Sequence, residues 1–293
     1  MIRQRPLRVH YLRGNGAPEA LRYRDEMPTA VAVGDLLREW RQRRRVSQLD
    51  LAGDAEISTR HLSFIETGRS TPSREVILRL ADQLEVPLRT RNTLLTAAGY
   101  APVFVERPLD DPALALARRA IERLLAAHEP FPAIAVDRHW TLVSGNRAAT
   151  MLMTGVDGDL VHPPINVLRL SLHPRGLAPR IENLDEWRTH VLGRLRRQVD
   201  TSADPTLGAL LKELSELPCP QGSSTGVHDY AGVLVPLRFR TDAGVLSFFS
   251  TTTIFGTPVD ITLSEIALES FFPADVATAA ALLAQAQGGR GVG

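Results

Sequence analysis

Leu36, Leu37 and Trp40 fall on one side of a segment whose other positions include Arg41, Arg43, Arg44 and Arg45, which predicts an amphipathic helix over about 35–45. A second helix starts near Gln48, with Leu51 and Ala52 turned inward. Ser58 is a good N-cap for a third, in which Leu62 and Ile65 lie one turn apart. The fourth begins around "TPSRE", where Pro72 suits the first turn, and repeats Val76, Leu80 and Leu84 at four-residue spacing. The fifth follows Pro87, carries Leu94, Leu95 and Ala98, and ends at Gly99, a plausible left-handed C′ residue. Residues 34–99 therefore read as a domain of five short helices.

The pattern then loosens. "YAPVFVERPLDDP", 100–112, is a proline-broken connector, and Leu114, Ile121 and Leu125 form the apolar face of a linker helix over about 112–128. "FPAIAVDRHWTLVSGN", 131–146, switches to two-residue spacing, Ile134/Val136 and then Trp140/Leu142, and reads as strand, turn, strand. "RAATMLM" is a short helix, and roughly 165–217 is helical. Two strands over 232–256, joined at Asp242-Ala243-Gly244, precede a C-terminal helix. This order predicts a small antiparallel sheet flanked by helices, an α+β domain of the PAS sort, over 129–286. Residues 1–33 are Arg-rich, broken by Gly14, Gly16, Pro18 and Pro28, and are expected to be a disordered arm; 287–293 are expected to be a disordered tail. The native start is either Met1 or Met27, which stands just before the first amphipathic segment.

The formal net charge of +1 conceals an asymmetry. Residues 1–107 hold 18 arginines against 13 carboxylates, whereas 108–293 hold 16 basic and 20 acidic residues. Only the front half is suited to meet a polyanion. A single cysteine, Cys219, excludes an internal disulfide and a cysteine-based zinc site within one chain, and a reducing, cytoplasmic setting is expected. No apolar run approaches the ~18–20 residues that span a bilayer, so no membrane partner is expected.

The spacing over 48–68 carries the sharpest signal. Gln48, Ala52, Ile57 and Leu62 succeed one another at four- and five-residue steps, and "IETG" closes the run. A helix-turn-helix needs a small residue where its helices cross, here Ala52, and apolar residues after the turn and in mid-helix, here Ile57 and Leu62. The stretch resembles the Xre/phage-repressor type of helix-turn-helix, an all-α five-helix domain whose second and third helices form the motif. One position departs: the turn residue, often glycine, is Glu56, and a left-handed backbone there costs on the order of 1 kcal/mol.

With Leu62 and Ile65 inward, Thr59, Arg60, Ser63 and Phe64 point outward toward double-stranded DNA. Thr59 and Arg60, at the leading edge, are the prime base-reading candidates; Arg60 suits guanine, and Thr59 and Phe64 suit a thymine methyl. Gln48 and Ser58, at helix starts, are candidates for holding phosphate. Arg69, Arg74, Arg43 and Arg44 are candidate backbone clamps, although the arginine run is equally an ordinary solvated face. His61 and Glu66 stand too far around the helix to share a metal, so no metal site is expected there. His61 fits beside the groove, and Glu66 fits a structural bond to the following turn or to an arginine.

The back half lacks a catalytic set: no Gly-Lys-Ser/Thr, no G-x-S-x-G, and histidines 162, 173, 190 and 228 dispersed along the chain. "QGSSTG", 221–226, reads as a loop. "PAIAVDRHWTLVSGNRAA", "NVLRLSLHP" and "EWRTHVLGRLRRQV" resemble the ligand-binding domain of MmyB-like transcription regulators, which join an Xre-type helix-turn-helix to a PAS-like domain. The resemblance implies a pocket for an apolar ligand, a fatty acid above all, coupled to transcription, and no other cofactor. Candidate lining residues are Trp140, Leu142, Met151, Met153, Leu168, Leu170, Trp187, Phe239 and Phe248, although any single one of them reads more readily as plain core. Arg169, His173 and Arg188 are candidates for anchoring a carboxylate head group. The resulting expectation is a cytoplasmic, homodimeric, ligand-controlled regulator rather than an enzyme. A DNA-tethered enzyme acting on an acyl or small polar substrate is the alternative, and a protein-interaction module a third reading.

Overall fold

Serines start three of the front helices by the same device. Ser47, Ser58 and Ser73 accept hydrogen bonds from the backbone N–H groups of Asp50, His61 and Val76, opening α2 (Gln48–Asp54), α3 (Thr59–Glu66) and α4 (Arg74–Gln83). Pro72 thus lies ahead of the cap instead of inside the first turn. The structure is a computed structural model that describes residues 32–218, 234–242 and 244–288. The expected arm, apart from its last two residues, the "QGSSTG" loop, Cys219 and the end of the tail lie outside the described residues.

The front helices, including α1 (Val33–Arg43) and α5 (Leu88–Ala97), also end alike. Arg45, Glu56, Gly68, Glu85 and Gly99 all have left-handed backbones, with φ between 49° and 84°. The next residue's N–H reaches back in each case, as from Ile57 to the Ala52 carbonyl at 2.9 Å and from Val86 to Ala81 at 2.8 Å. Val46, Ile57, Val86 and Tyr100, the residues after four of these turns, pack on the front core. That burial offsets the backbone cost at Arg45, Glu56 and Glu85, and the expectation of a left-handed Glu56 holds, with φ of 55°. The core gathers Leu37, Leu51, Leu62, Ile65, Ile77, Leu80, Leu94 and Leu95. Gly34 is required where α1 crosses α3, because a Cβ there would lie 2.1 Å from the Ile65 carbonyl oxygen.

A short 3₁₀ turn (Pro112–Leu114) and α6 (Ala115–Ala127) lead into the back domain. Its strands are β1 (Ala133–Val136), β2 (Leu142–Gly145), β3 (Leu237–Thr241), β4 (Gly244–Ile254) and β5 (Ala267–Pro273), in the order β2-β1-β5-β4-β3, all antiparallel. The pattern of hydrophobic positions predicts four strands; the fifth is the central one. "ALESFFP" escapes a periodicity reading because its buried positions include Glu269. Both sheet faces are covered, which also blurs alternation. Ala133, Ala135 and Leu268 pack with Ile121 and Leu125 of α6 on one face. Ile134, Val136 and Phe248 belong to a larger core on the other. The latter core is completed by α7 (Arg147–Leu152), α9 (Val167–Leu172), α10 (Leu184–Ser202), α11 (Pro205–Glu216) and α13 (Val276–Gly288). Two single-turn helices, α8 (Gly158–Val161) and α12 (Ile261–Ser264), and a second 3₁₀ turn (Ala178–Arg180) complete the described elements. Trp140, expected in a strand, sits in the β1–β2 turn with φ of 65°. α13 extends through Gln287 and Gly288, where a tail was expected.

Candidate DNA-reading face and ligand cavity

Leu62 and Ile65 are fully buried, which turns the opposite side of α3 outward. Arg60 is exposed, and Thr59, His61, Ser63 and Phe64 are half-buried on the same helix. The Arg60 guanidinium lies 5.2 Å from the Phe64 ring centre and that of Arg69 6.0 Å, so an exposed cationic pair brackets one aromatic ring. The Ser58 hydroxyl oxygen accepts from His61 N–H as the α3 N-cap and keeps its own O–H to donate. Arg74 is exposed at the first position of α4.

Glu66 is buried at 1% exposure and does not face solvent. Its carboxylate takes two bonds from Arg41, at 2.7 and 2.8 Å, and a third from the Gln48 side-chain amide at 2.7 Å. Arg38 donates to its backbone carbonyl. Burial pushes the Glu66 carboxyl up, but the bonds from Arg41 and Gln48 and the arginine charges outweigh it, and its pKa lies below the usual carboxylate range. Gln48 spends one amide N–H on Glu66 and keeps the second, which a phosphate can take. Two expectations are corrected here. Arg44 donates to the carbonyls of Leu84 and Glu85, at 2.8 and 3.1 Å, and thereby caps α4. Arg43 reaches the Asp200 carbonyl of the back domain at 3.1 Å and Glu39.

In the back domain a partly open apolar cavity of about 110 Å³ lies between the sheet and α7, α9 and α10. Of the residues expected there, Trp140, Met153, Leu168, Leu170, Trp187 and Phe239 line it. The others are placed elsewhere. Leu142 packs on the core without reaching the cavity, Phe248 lies within that core, and Met151 is 49% exposed on a separate groove. Neither Arg169, His173 nor Arg188 anchors a head group. Arg169 is paired with Glu213 at 2.6 Å on the surface, the His173 Nδ1 accepts from the Arg175 backbone, and Arg188 donates to the Ser215 and Leu217 carbonyls at the end of α11.

A polar wall that the sequence reading missed takes their place: His190, Arg194, Ser250 and Glu269. Arg194 makes a two-pronged bond to Glu269, at 2.6 and 3.0 Å, and Thr252 bonds the same carboxylate at 2.9 Å. The Arg194 guanidinium also lies 4.6 Å above the Trp140 ring. His190 stacks on Trp187, and burial, reinforced by the charges of Arg194 and Arg197, lowers its pKa. A signal was available, because Trp187, His190, Val191 and Arg194 recur at three- and four-residue steps and so share one face of α10. Among the described residues no group of three or more His, Cys, Asp or Glu is placed to hold a metal. No described helix is long and apolar enough to cross a membrane.

The cavity wall continues into the junction between domains. Trp140 donates to Gln198 at 2.8 Å, and Gln198 donates to the Arg138 carbonyl at 3.1 Å. Arg138 contacts Glu265 at 3.4 Å, just before β5. Glu265 is gripped in turn by Arg89 of α5, at 2.9 and 3.0 Å, and Arg89 also binds Glu106 of the connector. The bonds to Glu265 and then Glu106 raise the Arg89 pKa far above its ordinary value. Arg107–Asp260 at 2.9 Å and a parallel bridge from Val105 to Asp260 fasten the connector alongside.

A five-helix helix-turn-helix domain joined to an α/β domain around an apolar cavity defines a DNA-binding transcription regulator with its own ligand-binding domain. Comparison with known families agrees on both parts. A helix-turn-helix domain model matches residues 32–94, and the MmyB-like transcription regulator ligand binding domain matches residues 117–284. The latter spans more than half of the chain, and the protein belongs to the MmyB-like transcription regulators. No curated protein matches the chain.

Proposed function

We propose that a small apolar ligand, a fatty acid or other acyl compound, enters the cavity and shifts the protein's affinity for its operator. The observation that carries this reading is the continuity of wall and junction. Trp140 shares the β1–β2 turn with Arg138, and Glu269 stands on β5, whose start follows two residues after Glu265; the Arg138–Glu265 pair ends on Arg89 of the DNA-binding domain. Trp140 has a left-handed backbone, which costs of order 1–3 kcal/mol and persists only where its surroundings hold it. A ligand pressing on its ring therefore has a strained turn to act on.

On this proposal Thr59, Arg60, Ser63 and Phe64 read base edges, while Arg69 and Arg74 hold phosphate. The protein works in the cytoplasm as a homodimer, because one recognition helix reads few base pairs and paired half-sites multiply specificity. No cofactor other than the ligand is assigned to it, and no reaction. Native mass spectrometry of the purified full chain tests the proposal: a retained small apolar molecule and a dimer mass are expected. Operator titration with and without that molecule should then differ about 5–150-fold, the usual range of coupling between two sites. Equal affinities would remove the regulatory role.

A further inference from the structure

Granting that the cavity is the ligand site, we infer that it selects a short acyl or alkyl compound with an uncharged polar end, such as an alcohol, ester, lactone or amide, over the corresponding free acid. The cavity holds one permanent cation, Arg194, and that cation is already matched. Both of its terminal nitrogens bond the carboxylate of Glu269, which is only 3% exposed. A ligand carboxylate would have to crowd beside Glu269 and share the same guanidinium, with both anions out of water. Uncharged hydrogen-bonding capacity is, in contrast, unspent. The His190 and Ser250 side chains line the cavity and make no hydrogen bond with any described residue, so a ligand hydroxyl or carbonyl can bond either one and leave the Arg194–Glu269 pair intact. The lowered pKa of His190 agrees, since a neutral imidazole adds no cation to the wall. Size narrows the class further. At about 110 Å³ the cavity is smaller than the ~150 Å³ engineered cavities that accommodate benzene, which favours a short chain.

Titration of the full-length protein with hexan-1-ol and with sodium hexanoate at pH 8, where the acid is ionised, tests the inference. Tryptophan fluorescence and calorimetry read it, because Trp140 and Trp187 line the cavity. Hexanol is expected to bind at least tenfold more tightly. Equal or tighter binding of hexanoate overturns the uncharged-head inference while leaving the ligand site in place. Binding of neither compound overturns the site itself, and with it the inference. Glu269→Gln gives the converse reading: with Arg194 released, hexanoate affinity should rise at least tenfold, and a folded variant showing no rise counts against the charge argument.

Discussion

The two domains each bury an arginine–glutamate pair of the same design, and use it differently. Arg41–Glu66 and Arg194–Glu269 are both two-pronged, and each carboxylate takes a further bond, from Gln48 in one and Thr252 in the other. In the front domain the pair is sealed, with Arg41 at 13% exposure, and it pins α1 and α2 against the end of the recognition helix. In the back domain Arg194 is 31% exposed and stands beside empty space, with an aromatic ring beneath it. A buried ion pair contributes little net stability but is costly to break, so in a packed core it fixes geometry. Beside a cavity the same pair sets what charge the cavity will accept.

The largest expected effect tests that contrast directly. Glu66→Ala leaves Arg41 largely buried without a counter-charge, only the Val46 carbonyl still accepting from it, and should lower stability by about 3–5 kcal/mol in urea unfolding followed by tryptophan fluorescence. Glu269→Ala should cost clearly less, because Arg194 can turn toward water; equal losses would show that the pairs do the same job. Next is Arg60→Ala, expected to weaken operator binding by ~1–3 kcal/mol and relax base preference in a titration at fixed salt. Unchanged binding would mean that the outward face of α3 is not the reading face. Arg44→Ala should instead lower stability by about 0.5–1.5 kcal/mol with little change in the salt slope of DNA binding, since its donors cap α4. Arg89→Ala should leave DNA and ligand binding individually intact while shrinking the ligand's effect on DNA affinity, which a double titration would measure.

The smallest effect separates the domains by pH. His190 has a folded pKa below that of the unfolded chain, so the unfolded state takes up a proton first as pH falls. Its contribution is complete above about pH 6.5 and declines from there toward the lowered folded pKa. Glu66, also held low, keeps its contribution down to about pH 4.3 and loses it only as pH falls through its folded pKa. Acid melts should therefore soften the back domain first, and His190→Gln should flatten that upper slope. A front-domain transition that moved between pH 7 and 5 would contradict the assignment.

The front domain was largely legible in the sequence because its structure is local. Serine caps, four-residue apolar repeats and the Ala52–Ile57–Leu62 spacing each act within a turn or two of the chain, and the helices formed where those signals stand. Even the left-handed Glu56 followed from motif spacing. The back domain was legible in outline, as strands and helices in order, and six of the nine candidate lining residues, all of them large apolar side chains, do line the cavity. β5 was not, because its place in the middle of the sheet depends on pairing with β1, more than a hundred residues earlier in the chain, and it carries a buried Glu269 whose partner, Arg194, lies on a different element.

The assignment of arginines went furthest astray for the same reason. Arg44, Arg169 and Arg188 look alike in a sequence, as cations at helical spacing. Which one caps a helix, which pairs on the surface and which faces a cavity is fixed by what lies within ~3 Å after folding. The sequence by itself determined the five helices of the DNA-binding domain to within about two residues, the outward face of its recognition helix and the family to which the chain belongs. Tertiary structure alone decided the central strand, the matched charge of the cavity and the ion-pair route to Arg89. Those features rest on long-range contacts, and a long side chain carries no local mark of the partner it will find.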